Sequence, residues 1–293
     1  MLASYWQASG RDAMDPRIQQ VVQLIDTRIH YGSDEERAAL SVQALADTFG
    51  LSRFQLQRLF KRDTGMTLRD YLQNLQLEKA AVRVRLTRES LLSIALGLGF
   101  GSQQAFTRAF TRRWGMPPQS LRRLPAEGLA GPAVPIGAAI PARIVQAPAR
   151  SLWACRYVGP YPLVPQHWQD FATRLAAAGL QAEGPFFGMV YDDPLFTPPE
   201  RIRYACAIAA PAAAGEPPPG WYRIGLPPSR FVVFSIHCSY AEGLVRLRSR
   251  VHGWLARSGE SFGQAGGFEC YPRLPVASLD QAQHMDLHCS LAG

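Results

Sequence analysis

Among the 293 residues no apolar run approaches the ~20 that a helix needs to cross a bilayer, so no membrane is expected as a partner. The longest candidate, residues 91–100, is short and broken by Gly97 and Gly99. Residues 1–13 hold no basic leader and no long apolar stretch, and no secretory signal is expected from them. Cysteine is scarce, five in all with no Cys-x-x-Cys pair, which argues against a disulfide scaffold and for a reduced cytoplasm. Charge is thin at 18%, whereas hydrophobic residues make up 47%, and that balance excludes wholesale disorder. The length is generous for one domain and comfortable for two.

What charge there is lies unevenly. Residues 1–125 carry 18 basic against 11 acidic side chains, a balance of +7, and residues 126–293 carry 13 against 12, a balance of +1. Residues 52–123 alone hold 14 basic and 4 acidic side chains, a balance of +10. All five cysteines follow residue 150. Two domains of different chemistry are implied, and the basic one suits a polyanion such as nucleic acid.

The first reads as wholly helical. Asp15-Pro16 is a helix start, with Ile18, Val21, Val22, Ile25 and Ile29 at helical spacing behind it. Residues 31–40 read as a polar loop. Ser41, Ser52, Thr67, Ser90 and Ser102 each precede a further helix, and Gly50, Gly65 and Gly115 end three of them. Pro117-Pro118 reads as a stop. An internal repeat runs through this region at an offset of fifty: Ser52 matches Ser102, Leu56 matches Phe106, Arg58 matches Arg108, Phe60 matches Phe110, and Gly65-Met66 matches Gly115-Met116. Each copy is a short helix, a glycine turn and a capped second helix, so a helix-turn-helix occurs twice.

Residues 126–140 are rich in Pro, Gly and Ala, carry one charge, Glu127, and read as an extended linker. Beyond them the pattern predicts strands at residues 150–157, 186–191, 201–208, 230–236, 268–271 and 285–291. Helices are predicted at residues 166–178 and 241–257. A second repeat, at an offset near eighty, brings Tyr161 onto Tyr240 and Tyr191 onto Tyr271. The expected fold class is therefore multidomain: an all-α double helix-turn-helix domain, then an α+β domain built from two strand-helix-strand-strand repeats. The expected division is a flexible extension 1–14, a DNA-binding domain 15–125, the linker, and an effector domain 141–293.

In the helix over residues 53–62, Leu56, Leu59 and Phe60 share one face, while Phe54, Gln57, Arg58 and Lys61 share the other, with Arg53 nearby. An apolar inner face and an Arg/Gln/Lys outer face suit entry into the DNA major groove, where Arg can bond guanine and Gln adenine. The second copy repeats this with Phe106 and Phe110 inward and Gln103, Gln104, Thr107 and Arg108 outward. The run Leu51-Ser52-Arg53-Phe54-Gln55-Leu56-Gln57-Arg58-Leu59-Phe60-Lys61 resembles the first recognition helix of AraC/XylS-type transcriptional regulators. Gly99-Phe100-Gly101-Ser102-Gln103-Gln104-Ala105-Phe106, followed by Gly115-Met116-Pro117-Pro118, is similar to that family's second motif. The resemblance implies two recognition helices in successive major-groove segments of promoter DNA, with Arg53, Phe54, Gln57, Arg58, Gln103, Gln104, Thr107 and Arg108 at contacting positions. Gln76 departs from the arginine common there.

In the second domain, strand alternation points Glu269 and Tyr271 to one face and Phe268 and Cys270 to the other. An acid among Tyr161, Phe187, Tyr191, Trp254 and Tyr271 would suit a lipophilic cation through charge pairing and ring-face attraction. Tyr157-Val158-Gly159-Pro160-Tyr161, Tyr191-Asp192-Asp193-Pro194, Arg203-Tyr204, Gly253-Trp254-Leu255 and Phe268-Glu269-Cys270-Tyr271 resemble the gyrase-inhibitor-like (GyrI-like) effector-binding domain. That resemblance implies a small, hydrophobic and cationic effector, with Glu269 set against its charge. His237-Cys238-Ser239-Tyr240 departs from the Gly-Pro-Tyr-like turn common in the family.

Other readings stay open. His284, Asp286 and His288 alternate on one strand face and could meet a metal, although strand-spaced ligands need a third element; no metal site and no cofactor is expected. The cysteines could sense oxidants or serve as small hydrophobes. The expectation is a cytoplasmic regulator rather than an enzyme, with RNA polymerase as a further candidate partner. The alternative is a GyrI-like hydrolase, carried on a DNA-binding module, in which Glu269 activates water. A third is a domain that serves as a protein-interaction surface.

Overall fold

A short polar side chain caps the start of nearly every helix in the N-terminal half of the computed structural model. The structure describes residues 14–124, 141–181, 183–211 and 215–292, in two compact units, 14–124 and 141–292. The expected linker, and all but Met14 of the expected extension, lie outside the described residues. The first unit comprises α1 (Pro16–Tyr31), α2 (Asp34–Ala38), α3 (Val42–Thr48), α4 (Arg53–Thr64), α5 (Leu68–Leu86), α6 (Leu91–Gly97), α7 (Gln103–Trp114) and α8 (Pro118–Arg123). Asp15, Ser33, Ser41, Ser52, Thr67, Ser90 and Ser102 each accept a backbone N–H of the helix they precede.

Two of these helices depart from the sequence expectation. Residues 31–40 are not all loop, because Ser33 and Glu36 form a reciprocal capping box that nucleates α2. The Pro117-Pro118 stop also begins α8, since a proline at the first helical position needs no N–H partner.

Ile18, Val21, Ile25 and Ile29 of α1 share one apolar cluster with Leu45, Leu56, Phe60, Leu68, Tyr71 and Leu75. Full burial of side chains of this size contributes about 1.5–3 kcal/mol each. Helix α5 also packs against α6, α7 and α8.

The second unit is one eight-stranded sheet in the order β1-β6-β8-β7-β3-β4-β2-β5, with every neighbouring pair antiparallel. The strands are β1 (Ala142–Ala147), β2 (Arg150–Val158), β3 (Phe186–Val190), β4 (Arg203–Ala209), β5 (Tyr222–Leu226), β6 (Ser229–Cys238), β7 (Phe262–Tyr271) and β8 (Gln283–Leu291). Helices α9 (Val164–Ala177) and α10 (Tyr240–Ser258) complete the units β2-α9-β3-β4 and β6-α10-β7-β8, so both expected repeats are present. The sequence reading lacked β1 and β5, the two edges. Each precedes one repeat along the chain but pairs with the first strand of the other, β1 with β6 and β5 with β2. The strand order is therefore a palindrome centred on β7·β3.

Trp168, Phe171 and Leu175 of α9 and Tyr240 and Val251 of α10 join one core with Tyr204, Phe234, Tyr271 and Met285 from the sheet. Both helices thus cover the same sheet face.

Candidate functional site

Helices α4 and α7 are built alike. Ser52 accepts from Gln55 N at 3.2 Å while Gln55 Oε1 accepts from Ser52 N at 3.0 Å, and Ser102 accepts from Ala105 N at 3.1 Å. Gly65 and Gly115 end them in the left-handed region, at φ +75° and +70°, a conformation that costs little only without a Cβ. Leu56 and Phe60, then Phe106 and Phe110, are fully buried and hold each helix to its domain. Phe60 meets Tyr71 edge-on at 5.3 Å, and Phe106 meets Phe110 at 5.4 Å.

The opposite faces stand in solvent. Arg53, Gln57, Arg58 and Lys61 are exposed on α4, as are Gln103, Gln104 and Arg108 on α7, with Thr107 half-buried. Phe54 is 74% exposed, an apolar ring left outside the core at the start of α4. Each helix therefore offers guanidinium and carboxamide groups, donors and acceptors for base edges, on a rigid mount.

At the centre of the sheet, Glu269 of β7 stands directly opposite Gly188 of β3. Glu269 is 5% exposed, and its carboxylate faces the side covered by the two helices. Tyr204 donates to Oε2 at 2.6 Å, Tyr271 donates to the same oxygen at 2.9 Å, and Tyr240 donates to Oε1 at 3.4 Å. Trp168 Nε1 donates in turn to the Tyr204 hydroxyl at 3.3 Å. Gly188 makes the approach possible: a methyl there would overlap the Tyr204 hydroxyl and lie 2.6 Å from Glu269 Oε2. Burial pushes the Glu269 pKa up to about 7, and the three tyrosine donors, which favour the ionised form, only partly oppose it. Burial likewise raises the Tyr204, Tyr240 and Tyr271 phenols well above their ordinary value.

The structure brings only part of the expected pocket together. Tyr271 bonds the carboxylate as the strand alternation predicted. Tyr161 is buried in the same core, but its hydroxyl donates to the Asp192 carbonyl at 2.6 Å. Trp254 is half-buried against that core, edge-on to Phe234 at 6.0 Å. Phe187 needs correction. Gly188, not Phe187, is paired with Glu269, so the Phe187 ring lies on the other sheet face, where it meets Phe268 at 5.9 Å. Tyr191 is displaced as well: it lies beyond the end of β3, and its hydroxyl meets that of Tyr222 at 2.7 Å.

Sequence reasoning missed Tyr204 and Tyr240 as site residues. The available signal was Tyr240 as repeat mate of Tyr161, and Tyr204 inside the Arg203-Tyr204 motif. That motif also has a structural part, since Asp192 accepts from Arg203 N at 2.7 Å and from Arg203 Nε at 2.8 Å.

On the second face His288 stacks on Phe268 at 4.5 Å, Asp286 pairs with Arg143 at 2.9 Å, and His284 lies 3.3 Å from Asp286. Burial raises the thiols of Cys155 and Cys289 to about 12 and that of Cys270 to about 11, which disfavours the reactive thiolate.

Comparison with known proteins follows the same division. Residues 45–124 match a family described as a helix-turn-helix domain, and residues 141–284 match a GyrI-like small molecule binding domain. The TetD protein of transposon Tn10 from Escherichia coli is 42% identical over 85 residues, covering 29% of this chain and 62% of that protein. The regulatory protein SoxS of Salmonella typhimurium is 35% identical over 100 residues, 34% of this chain and 94% of SoxS. A solved structure of SAV2435 bound to tetraphenylphosphonium covers 53% of this chain and 95% of its own, at 13% identity and a TM-score of 0.37. No helix among the described residues is long and apolar enough to cross a membrane. With its two capped helices in tandem, its match across 94% of the length of SoxS at 35% identity, and a second matched domain behind them, the chain belongs to the AraC-type helix-turn-helix regulators and carries a GyrI-like small molecule binding domain.

Proposed function

We propose that the chain is a cytoplasmic, sequence-specific transcription regulator in which residues 15–125 bind double-stranded promoter DNA and residues 141–293 sense a small hydrophobic cation. The DNA half rests on one observation above all: two helices of the same build, each with a buried aromatic face and an exposed Arg/Gln face. One such face is ordinary, because polar outer faces are the rule on surface helices. Two in tandem, within a segment of balance +10, are what major-groove reading requires. The test is site selection from random duplexes with the full chain and with Arg58→Ala. The variant is expected to weaken specific binding by about 1–3 kcal/mol and to relax preference at one base position. Unchanged selectivity removes Arg58 from the base-reading set.

The effector half rests on the buried Glu269 carboxylate among aromatic rings. A buried acid with a pKa of about 7 gains most from a cation that cannot lose its charge. The hydrolase alternative draws on the same pKa, which suits a general base at neutral pH. Against it, tyrosine hydroxyls already hold both carboxylate oxygens. Incubation with cationic ligands and electrophilic esters separates the two: saturable binding without product supports a sensor, and product abolished by Glu269→Gln supports an enzyme.

A further inference from the structure

Both helix-turn-helix motifs bury an apolar face, and the second has an ionic tie in addition. The first, α3 and α4, shares its apolar cluster with α1 and the first half of α5. In the second, Ile94, Ala95, Phe106 and Phe110 are also buried, but outside that cluster. An ionic network ties this motif back. Arg83, near the end of α5 and 3% exposed, grips Glu89, just ahead of α6, through Nε at 3.0 Å and through a second contact from Nη2. Its Nη1 reaches Asp34 Oδ1 at 3.2 Å. Asp34 opens α2, where the fully buried Arg37 holds the same oxygen at 2.7 Å. Glu89 also accepts from Ser93 of α6 at 3.5 Å.

Helix α2 packs on α6, and closely: a Cβ on Gly97 would lie 2.5 Å from Asp34 Oδ2. The internal repeat shows that this joint belongs to the second motif. At the offset of 49 that carries Ser41 onto Ser90 and Gly50 onto Gly99, Glu89 falls on Leu40 and Gly97 on Thr48. Leu40 is a member of the apolar cluster. The first motif thus has a hydrophobic contact where the second has an ion pair.

Apolar faces are non-directional and tolerate small slides, whereas a guanidinium fork on a carboxylate fixes direction as well as distance. We propose that Asp34, Arg37, Arg83 and Glu89 are positioning residues that lock α7 relative to α4, and so set the spacing between the two base-pair clusters that the protein reads. This rests on the reading of both helices as DNA-binding. Rigidly joined modules gain effective concentration on a correctly spaced site and lose it on a misspaced one. A loosened joint lowers the first gain and softens the second loss.

The experiment uses the full chain. A site is selected from random duplexes, and dissociation constants are measured on it and on duplexes with one base pair added or removed between the two boxes. For the natural protein a one-base-pair change is expected to cost about tenfold or more in affinity. Asp34→Asn and Glu89→Gln, which keep size while removing charge, are expected to bind the optimal duplex about fivefold more weakly and to lose only about threefold on misspacing. Circular dichroism checks that the helices remain. A merely structural role would lower the melting temperature and leave the misspacing penalty at its natural value, and that result overturns the proposal. If Asp34→Asn does not fold, Glu89→Gln, which keeps the Arg83–Asp34 contact, decides by the same penalty. Loss of folding in both assigns the network to stability alone and overturns the proposal. A selected site with a single box overturns the two-helix reading and this inference with it, whereas a two-box site with an unaltered penalty overturns the inference only.

Discussion

Replacing Glu269 by Gln separates the charge of the carboxylate from its size. Burial holds its pKa at about 7, against 4.5 for the ordinary side chain. In the unfolded chain the group ionises above 4.5, and in the folded domain only above about 7. Between those values the folded state binds the extra proton, so stability falls as pH rises through the window. The full gap is worth about 3 kcal/mol, present below pH 4.5 and lost above pH 7. Glu269→Gln has no such slope. It should match the natural protein near pH 4.5 and exceed it by up to about 3 kcal/mol at pH 8.

Binding of a lipophilic cation runs the other way, because it needs the ionised acid. Affinity for a quaternary aromatic cation should rise about tenfold per pH unit below 7 and level off above it. The Gln variant should show no such rise. At pH 8 the substitution should cost the cation about 1–3 kcal/mol and a neutral analogue of the same shape little. Urea unfolding at pH 5 and pH 8 reads the stability, and calorimetry at pH 6 and pH 8 reads the binding. Equal losses for cationic and neutral ligands, or a stability difference that does not change with pH, would refute the reasoning.

Two substitutions test the packing behind the sites. Gly188→Ala places a methyl onto the Tyr204 hydroxyl and beside Glu269, and should destabilise the second domain by about 1–3 kcal/mol or more in urea unfolding; a variant as stable as the natural protein would contradict the close approach. Phe110→Ala, at a fully buried site in α7, should cost about 3–5 kcal/mol of stability by thermal unfolding, with a smaller loss counting against its place in the core.

Much of the helical unit was legible from the chain alone because its signals are local. A cap bonds a backbone group two or three residues away, an apolar stripe recurs every three or four residues, and a glycine in the left-handed region ends the helix. Ser52, Leu56, Phe60 and Gly65 carry all three signals within one short segment. The helix within residues 31–40, expected as loop, rests on a signal of the same local kind, the Ser33/Glu36 box.

In the sheet the sequence determined which residues of one strand share a face, and it paired Glu269 with Tyr271 two positions on. It could not say which residues of other strands would meet them. Tyr240 lies 29 residues from Glu269 and Tyr204 lies 65 away, yet both hydroxyls reach its carboxylate. Phe187 and Gly188 differ by one position, and the register of β3 on β7 decided that the glycine would stand opposite the acid. The exchange of β1 and β5 between the repeats is of the same nature. Periodicity is a property of one segment, whereas strand order and register depend on which apolar faces the whole domain can bury together. The sequence thus determined the two tandem capped helices and the acid, and the tertiary structure decided the three tyrosines that enclose it.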